Sequence, residues 1–277
     1  MSTETWRLLD TGKSDPYTNM AIDEAILLKH QKGKMLPTLR FYGWTPPTIS
    51  LGYFQDVHKE IDVEAVQERG FGLVRRITGG RAVFHDNEVT YSIVAREDHP
   101  LMTGGVRSSY LRLSTALVEG LKELGVPAEI VSGRKGNLNR HTTTACFDAP
   151  SWYEITCNSR KLVGSAQTRK GGVVLQHGSI IISLNVEDFF SVLKMPSEKL
   201  REYLKSKFYK QACGLEEILG VKVEARQVKL KIKEAFTKVY GIEFVPGELS
   251  EEEITFLKEL KNKYASKNWL NGKRNNL

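Results

Sequence analysis

Residues 75–92 read RRITGGRAVFHDNEVTYS: two arginines close an apolar run, a glycine pair and a third arginine follow, and a histidine stands before an Asp-Asn turn. Further along, RKLVGSAQ at 160–167 runs into QHGS at 176–179. Glycine pairs let a backbone adopt positive φ or approach a ligand closely. The flanking arginines, lysine and histidines are hydrogen-bond donors with no motive in core packing. Strand-like runs bracket both stretches, so together they read as two walls of one binding site carried on a sheet.

Working outward, residues 6–10 read as a strand. Asp15-Pro16 opens a helix in which Ala21, Ile22, Ala25, Ile26 and Leu27 recur at helical spacing. Short strands are expected at 38–42 and 48–51 around the turn Thr45-Pro46-Pro47, with a helix at 62–69 and strands at 73–76, 82–84 and 89–95. Residues 107–124 form the clearest helix, with Leu111, Leu113, Leu117, Leu121 and Leu124 assigned to one side and Gly125 ending it. A Gly-, Thr- and Asn-rich loop spans 132–151, long enough in a compact domain to suggest function. Strands follow at 152–156, 161–168 and 173–184, and the remainder reads as mainly helical. The fold class expected is α+β, a mixed β-sheet flanked by helices. Residues 1–245 are expected to form the catalytic domain and 246–277 a C-terminal helical extension packed on it.

Of 277 residues, 40% are hydrophobic and 26% charged, the balance of a globular chain able to bury a core. No apolar run reaches the roughly 18 residues of a membrane span, and the N-terminus lacks a signal peptide's basic and apolar regions, so a cytoplasmic protein with no membrane association is expected. The net charge is +7, and from Ser191 onward 18 Lys+Arg stand against 12 Asp+Glu. A solvated helical surface or a docking face for an acidic partner accounts for that excess; no nucleic-acid-binding motif accompanies it. Nothing in the pattern calls for an obligate oligomer, and a monomer is expected.

Three cysteines without CxxC spacing exclude a disulfide scaffold and make structural zinc an unattractive reading, so no metal is expected. Cys146 lies in the polar loop, in ACFDAPSWYE, where a thiol is accessible; an incidental loop cysteine fits the same description. Lys161 begins the strand returning from that loop, and an ammonium near a thiol raises its thiolate fraction and can carry the proton. His141 is a second candidate base or simply a solvent-facing residue. Gly164, Ser165 and Ala166 form a run of small residues that suits either an extended acyl chain or tight packing. His177 beside Gly178 reads as a ligand contact or as a satisfied core histidine. Arg75, Arg76 and Arg81 around Gly79 and Gly80 bind an anion or decorate a surface hairpin. Cys157, in a strand, reads as structural.

The ordered motifs RRITGGRAVFHD, RKLVGSAQ and QHGSIII resemble the biotin/lipoate protein ligase superfamily over roughly 30–245. The resemblance implies that superfamily's catalytic-domain fold, with the arginine-glycine motif and the lysine strand lining a tunnel for an acyl chain. CFDAPSWYE is similar to the segment of its cysteine-dependent octanoyltransferases, which move octanoate from acyl carrier protein to the glycine cleavage H protein. It therefore implies Cys146 as nucleophile, forming an acyl thioester, and Lys161 as the group that lowers the thiol pKa and transfers protons. Substrate contacts are implied at Arg76, Gly79, Gly80, Arg81, His85, Gly164, Ser165, Ala166, Gln167, His177 and Gly178. No cofactor is implied; the partners are octanoyl-acyl carrier protein as donor and the H protein or another lipoyl domain as acceptor. Three other readings remain at this point: an ATP-dependent lipoate ligase, an amidotransferase between lipoylated proteins, and a non-catalytic basic binding module. Cys213, in Ala-Cys-Gly, is the competing nucleophile.

Overall fold

Asp15 begins the helix around which the molecule is assembled. Its side chain accepts hydrogen bonds from the Tyr17 and Thr18 amides, and Pro16 occupies the first helical position, where no backbone donor is needed. The computed structural model describes residues 4–132 and 153–272. In chain order, β1 (Glu4–Ser14) precedes α1 (Pro16–Lys32), and β2 (Thr38–Trp44) and β3 (Thr48–Leu51) flank a cis Thr45–Pro46 bond. Next come α2 (Val57–Glu60), α3 (Val63–Glu68), β4 (Gly72–Arg75), β5 (Val83–His85), β6 (Glu88–Arg96), α4 (Gly105–Glu123) and β7 (Ala128–Ser132). The second part contains β8 (Tyr153–Cys157), β9 (Arg160–Lys170), β10 (Val173–Ile181), α5 (Val186–Ser191), α6 (Glu198–Gln211), α7 (Leu215–Leu219) and α8 (Ala225–Tyr240). It ends with β11 (Ile242–Pro246), α9 (Glu251–Ala265) and α10 (Lys267–Leu270).

Eight strands form one mixed sheet in the order β11-β1-β2-β6-β10-β9-β8-β7, parallel at the β11-β1-β2 end and antiparallel elsewhere. A smaller sheet, β4-β3-β5, stands apart from it. On one face of the large sheet Leu39, Phe41, Tyr91 and Ile93 pack with Leu113, Leu117 and Leu121 of α4 and Val228, Ile232 and Phe236 of α8. The other face carries α1, itself covered by α9, so that α1 is buried on two sides. This is the α+β arrangement of a mixed sheet flanked by helices.

Burial on two sides explains the polar residues inside the apolar stretch of α1. Asn19, Asp23 and Glu24 are buried, and each is bonded: Asp23 to Arg40, Tyr42 and Ser92, Glu24 to Tyr264 and Lys263, Asn19 to the Gly43 carbonyl and Arg40. Residues 250–265 are fastened by the same kind of contact. Arg7 meets Glu253 in a buried pair at 2.6 Å, and Lys29 pairs with Glu252.

The structure departs from the sequence reading at several points, among them the strand β7 and the short helix α2, which were not expected. Residues 242–246, expected within a helical region, form the edge strand β11 beside β1. Leu111 is 38% exposed, because it lies two residues from Leu113 and so points about 200° away around a helix of 3.6 residues per turn. Arg75, a candidate anion binder, has its guanidinium surrounded by backbone. Nη1 donates to the carbonyls of Gly52, Tyr53 and Gln55, and Nε and Nη2 donate to Leu270, with Nε also reaching Trp269. The indole of Trp269 returns a bond of 2.8 Å to the Arg75 carbonyl. Arg75 thus clamps the segment at 52–55 and α10 onto β4.

These contacts have measurable consequences. Arg75→Ala removes charge-assisted bonds and strands buried carbonyls, and should lower unfolding stability by about 3 kcal/mol; an unchanged denaturant midpoint would show that the clamp contributes nothing. His30 is buried in α1, and its two ring nitrogens have no hydrogen-bond partner among the described residues. Burial, assisted by the Arg7 charge, pushes its imidazole down to about 4. With the folded value below the unfolded one, the unfolded chain binds this proton first, so stability falls as pH drops from about 6.5 toward 4. At pH 5 the loss from this group is about 2 kcal/mol. Urea unfolding of the protein and of His30→Leu at pH 7 and pH 5 measures it: the substitution should shrink the difference between the two pH values by about that amount.

Candidate active site

Between the small sheet and the open face of β6, β10 and β9 lies a cavity of about 160 Å³. Register determines what faces it. Thr90 of β6, Ser179 of β10 and Gly164 of β9 are mutual ladder partners, as are Ser92, His177 and Ala166, and directly paired residues share a face. Trp44, Tyr42 and Met20 close one side, and Ser50, Arg76, Arg81 and Val83 the other.

Two buried carboxylates hold this wall from behind. Glu88 accepts from His85 Nδ1 at 2.8 Å and from the hydroxyls of Thr90 and Ser179. Burial by itself would raise its pKa; His85 and the hydroxyl donors outweigh that and hold the carboxyl below its usual range. Trp44 stacks on His85 at 4.2 Å and donates its indole N–H to Thr90, so one carboxylate fixes the aromatic side of the cavity. Asp23 binds Arg40 at 2.6 Å and lies 3.3 Å from His177 Nδ1. Burial again opposes ionisation, and Arg40 with His177 and Ser92 keeps Asp23 below its usual pKa. His177 is pushed down by burial, which favours a neutral ring. Since a carboxylate only accepts, Nδ1 carries the proton and donates to Asp23, leaving Nε2 to accept from Thr78 Oγ1 at 2.7 Å.

Lys161 reaches the cavity because β9 is irregular. Straight alternation from Ala166 and Gly164 would place Leu162 on the cavity side and Lys161 on the opposite one. The register shifts between Ile155, paired with Val163, and Thr156, paired with Lys161, so one extra residue is accommodated on β9. Leu162 and Val163 both enter the core packed on α4, and Lys161 turns to the cavity. A bulge beside a site commonly re-aims a side chain in this way. The Lys161 side chain is 8% exposed and its Nζ lies 2.9 Å from Glu154 Oε1. A Cβ at Gly164 would sit 3.3 Å from Lys161 Cε, so the glycine leaves room for the lysine stem. A second cavity of about 60 Å³, with Phe84, Ile181, Phe189 and Phe208 among its walls, shares Lys161, Gly164, Ser179 and Val83 with the first. Lys161 therefore stands where two cavities meet, and an ammonium there can stabilise an anion or carry a proton beside an apolar chain.

Most of the residues expected from sequence meet around this cavity. Arg76, Gly80, Arg81, His85 and Lys161 line it, as do Gly164, Ser165, Ala166, His177 and Gly178. Arg76 also donates to the carbonyls of Ser50, Gly79 and Arg81, which shapes the turn it belongs to. Gly178 has a packing reason as well: a Cβ there would lie 2.4 Å from Ser165 Oγ and 2.7 Å from the Tyr91 ring. Gly79 and Gln167 are not among the lining residues; Gln167 faces α4, bonding Ser109 and Gln176. Cys146 and His141 lie outside the described residues. Cys213 is fully buried with its sulfur toward the carbonyls of Arg160 and Lys161, and burial pushes its thiol up to about 11. Cys157 is buried in β8. Sequence reasoning missed Trp44, Ser50, Glu88 and Asp23. Asp23-Glu24 between apolar residues of α1 was the available signal, since a charge inside a buried face must have a partner.

The profile of the lipoyl protein ligase A/B catalytic domain matches residues 15–237. The octanoyltransferase LipM of Moorella thermoacetica is 72% identical over 270 residues, 98% of this chain and 99% of that one. Its namesake from Kyrpidia tusciae is 48% identical over 270 residues, 96% and 98% of the two chains. Among solved structures, a bi-partite lipoate protein ligase from Thermoplasma acidophilum, described with its E2 lipoyl domain, superposes with a TM-score of 0.81 at 27% identity, covering 97% of each chain. A profile across most of the length and relatives aligned nearly end to end make this chain a member of the lipoyl protein ligase A/B catalytic-domain family.

Proposed function

We propose that the protein is an octanoyltransferase of protein lipoylation, moving octanoate from octanoyl-acyl carrier protein to a lysine of the glycine cleavage H protein or another lipoyl domain. The observation that carries the reading is Lys161, a buried ammonium turned by a bulge to the junction of two partly apolar cavities. The octanoyltransferase names of relatives at 72% and 48% identity support the same substrate. Cys146 enters on its sequence position as the nucleophile. Its thiolate attacks the carrier thioester, the carrier sulfur leaves and takes a proton, and a Cys146 acyl thioester results. The acceptor amine then attacks that carbonyl, the Cys146 sulfur leaves, and an amide forms while the amine gives up its proton. Thioester exchange costs little and amide formation is downhill, so the transfer needs neither ATP nor a metal. Arg76 and Arg81 line the chain's cavity, with His85, Gly164, Ala166 and His177 completing its walls. The basic C-terminal third suits acidic carrier and lipoyl domains, whose encounter would be steered by charge and slowed by salt. No helix among the described residues is long and apolar enough to cross a membrane. A monomer working in the cytoplasm is the form proposed.

Intact-mass spectrometry after mixing with octanoyl-acyl carrier protein, without ATP, tests this. A hydroxylamine-labile octanoyl adduct should form, disappear in Cys146→Ser and persist in Cys213→Ser. Loss of the adduct in Cys213→Ser alone would reverse the assignment of the nucleophile. Acceptor modification only with free octanoate and ATP would make the protein a ligase, as the Thermoplasma acidophilum relative is named. For Lys161→Ala, alkylation of Cys146 at pH 7 should slow severalfold, because the thiol loses the neighbouring ammonium; an alkylation profile unchanged with pH would remove that role.

A further inference from the structure

We infer that Glu154 is a positioning residue for acyl transfer, holding the Lys161 ammonium at the junction of the two cavities and keeping it charged across the working pH range. The inference rests on the proposed role of Lys161 and adds to it a residue outside both glycine-bearing motifs. Glu154 Oε1 lies 2.9 Å from Lys161 Nζ, with side-chain exposures of 26% and 8%. Thr156 is directly across the ladder from Lys161, and Glu154, two residues away on β8, projects from the same face. Thr156 Oγ1 is buried with no hydrogen-bond partner among the described residues, while the ammonium is bonded to the Glu154 carboxylate. The bulge turns Lys161 toward the cavity, Gly164 leaves space for its stem, and Glu154 fixes its end.

Other charged groups among the described residues border the same two cavities. Arg76, Arg81, His85 and His177 face Lys161 across the first cavity. Asp86 and Glu88 face it from the second, but Glu88 is bonded to His85, Thr90 and Ser179, and Asp86 lies 3.4 Å from the Asn185 amide. Behind its backbone, Cys213 donates its amide to the Lys161 carbonyl, and the neighbouring Arg160 pairs with Glu217. A carboxylate 2.9 Å from an amine favours the amine's charged form. The charge has work to do in both half-reactions. Lys161 gives a proton from Nζ to the departing carrier sulfur, and recovers one from the acceptor amine as the amide forms. An amine that had already lost its proton could not perform the first step.

The test is the pH profile of octanoyl-enzyme formation from octanoyl-acyl carrier protein, for the protein, Glu154→Gln, Glu154→Asp and Lys161→Gln. The alkaline limb should move down by at least one pH unit in Glu154→Gln, at least a tenfold loss on that limb, and return toward its original position in Glu154→Asp. A Glu154→Gln rate lowered evenly at every pH, or a limb left where it was, overturns the inference. Lys161→Gln separates this from failure of the underlying reading. If it abolishes the limb while Glu154→Gln leaves it in place, Glu154 alone is wrongly assigned; if the limb survives in Lys161→Gln, the group that titrates is not Lys161.

Discussion

The carboxylate of Asp23 is the contact on which the site depends. It lies on a helix buried on two sides, and it draws Arg40 from β2, Ser92 from β6 and His177 from β10 to one point, with Tyr42 on the same oxygens. Taking a carboxylate out of water costs several kcal/mol and is recovered only when its lone pairs are filled with good geometry. Once the helix carries that charge inward, the strands beneath must present their donors in one register. Arg40 adds to the constraint, its guanidinium lying 3.9 Å from the Tyr42 ring centroid and bonded also to Asn19. Glu88 repeats the arrangement nearer the small sheet, where His85 and Trp44 stack over it.

Two carboxylates behind the wall and two arginines on it produce a separation of roles. The anions are saturated by hydroxyls, imidazoles and, at Asp23, the Arg40 guanidinium, and they support the wall. Arg76, Arg81 and Lys161 line the cavity together with aromatic and small residues, so its walls combine cationic and apolar surface. The RR pair of the first motif is divided in the same way. Arg75 binds five backbone carbonyls and fastens α10, whereas its neighbour Arg76 faces the site. Successive residues at a strand end point to opposite sides, so the two guanidinium groups bind different stretches of backbone, Arg76 those of Ser50, Gly79 and Arg81 beside the cavity.

Lys161 shows how a local irregularity decides chemistry. Had β9 continued as a regular strand, its ammonium would have pointed into the apolar layer under α4, at prohibitive cost. One extra residue lets Leu162 and Val163 fill that layer and turns the charge to the cavity. Gly164 then leaves room for the lysine stem, and Glu154 holds its nitrogen. The Cys213 thiol stays on the other side of this arrangement, behind the Lys161 backbone, where burial suppresses its ionisation.

Much of this was legible in the sequence alone. The Asp15-Pro16 cap, the leucine spacing of 113, 117 and 121, the alternating strands and the three ordered motifs determined the fold class, the family and most of the cavity wall, because caps, periodicity and close-approach glycines act over a few residues. Glu88, Asp23, Trp44 and Glu154 were not legible as site residues, since each acquires its role from partners far away in the chain or across a sheet. The family resemblance put Gln167 with its neighbours in the site, and strand alternation from Ala166 sends it to the opposite face, toward α4. Only the tertiary structure could assign Arg75 to a clamp, complete the sheet with 242–246 and turn Lys161 toward the cavity. A backbone carbonyl, a strand edge and a bulge are defined by what lies across from them, and linear spacing carries no record of that.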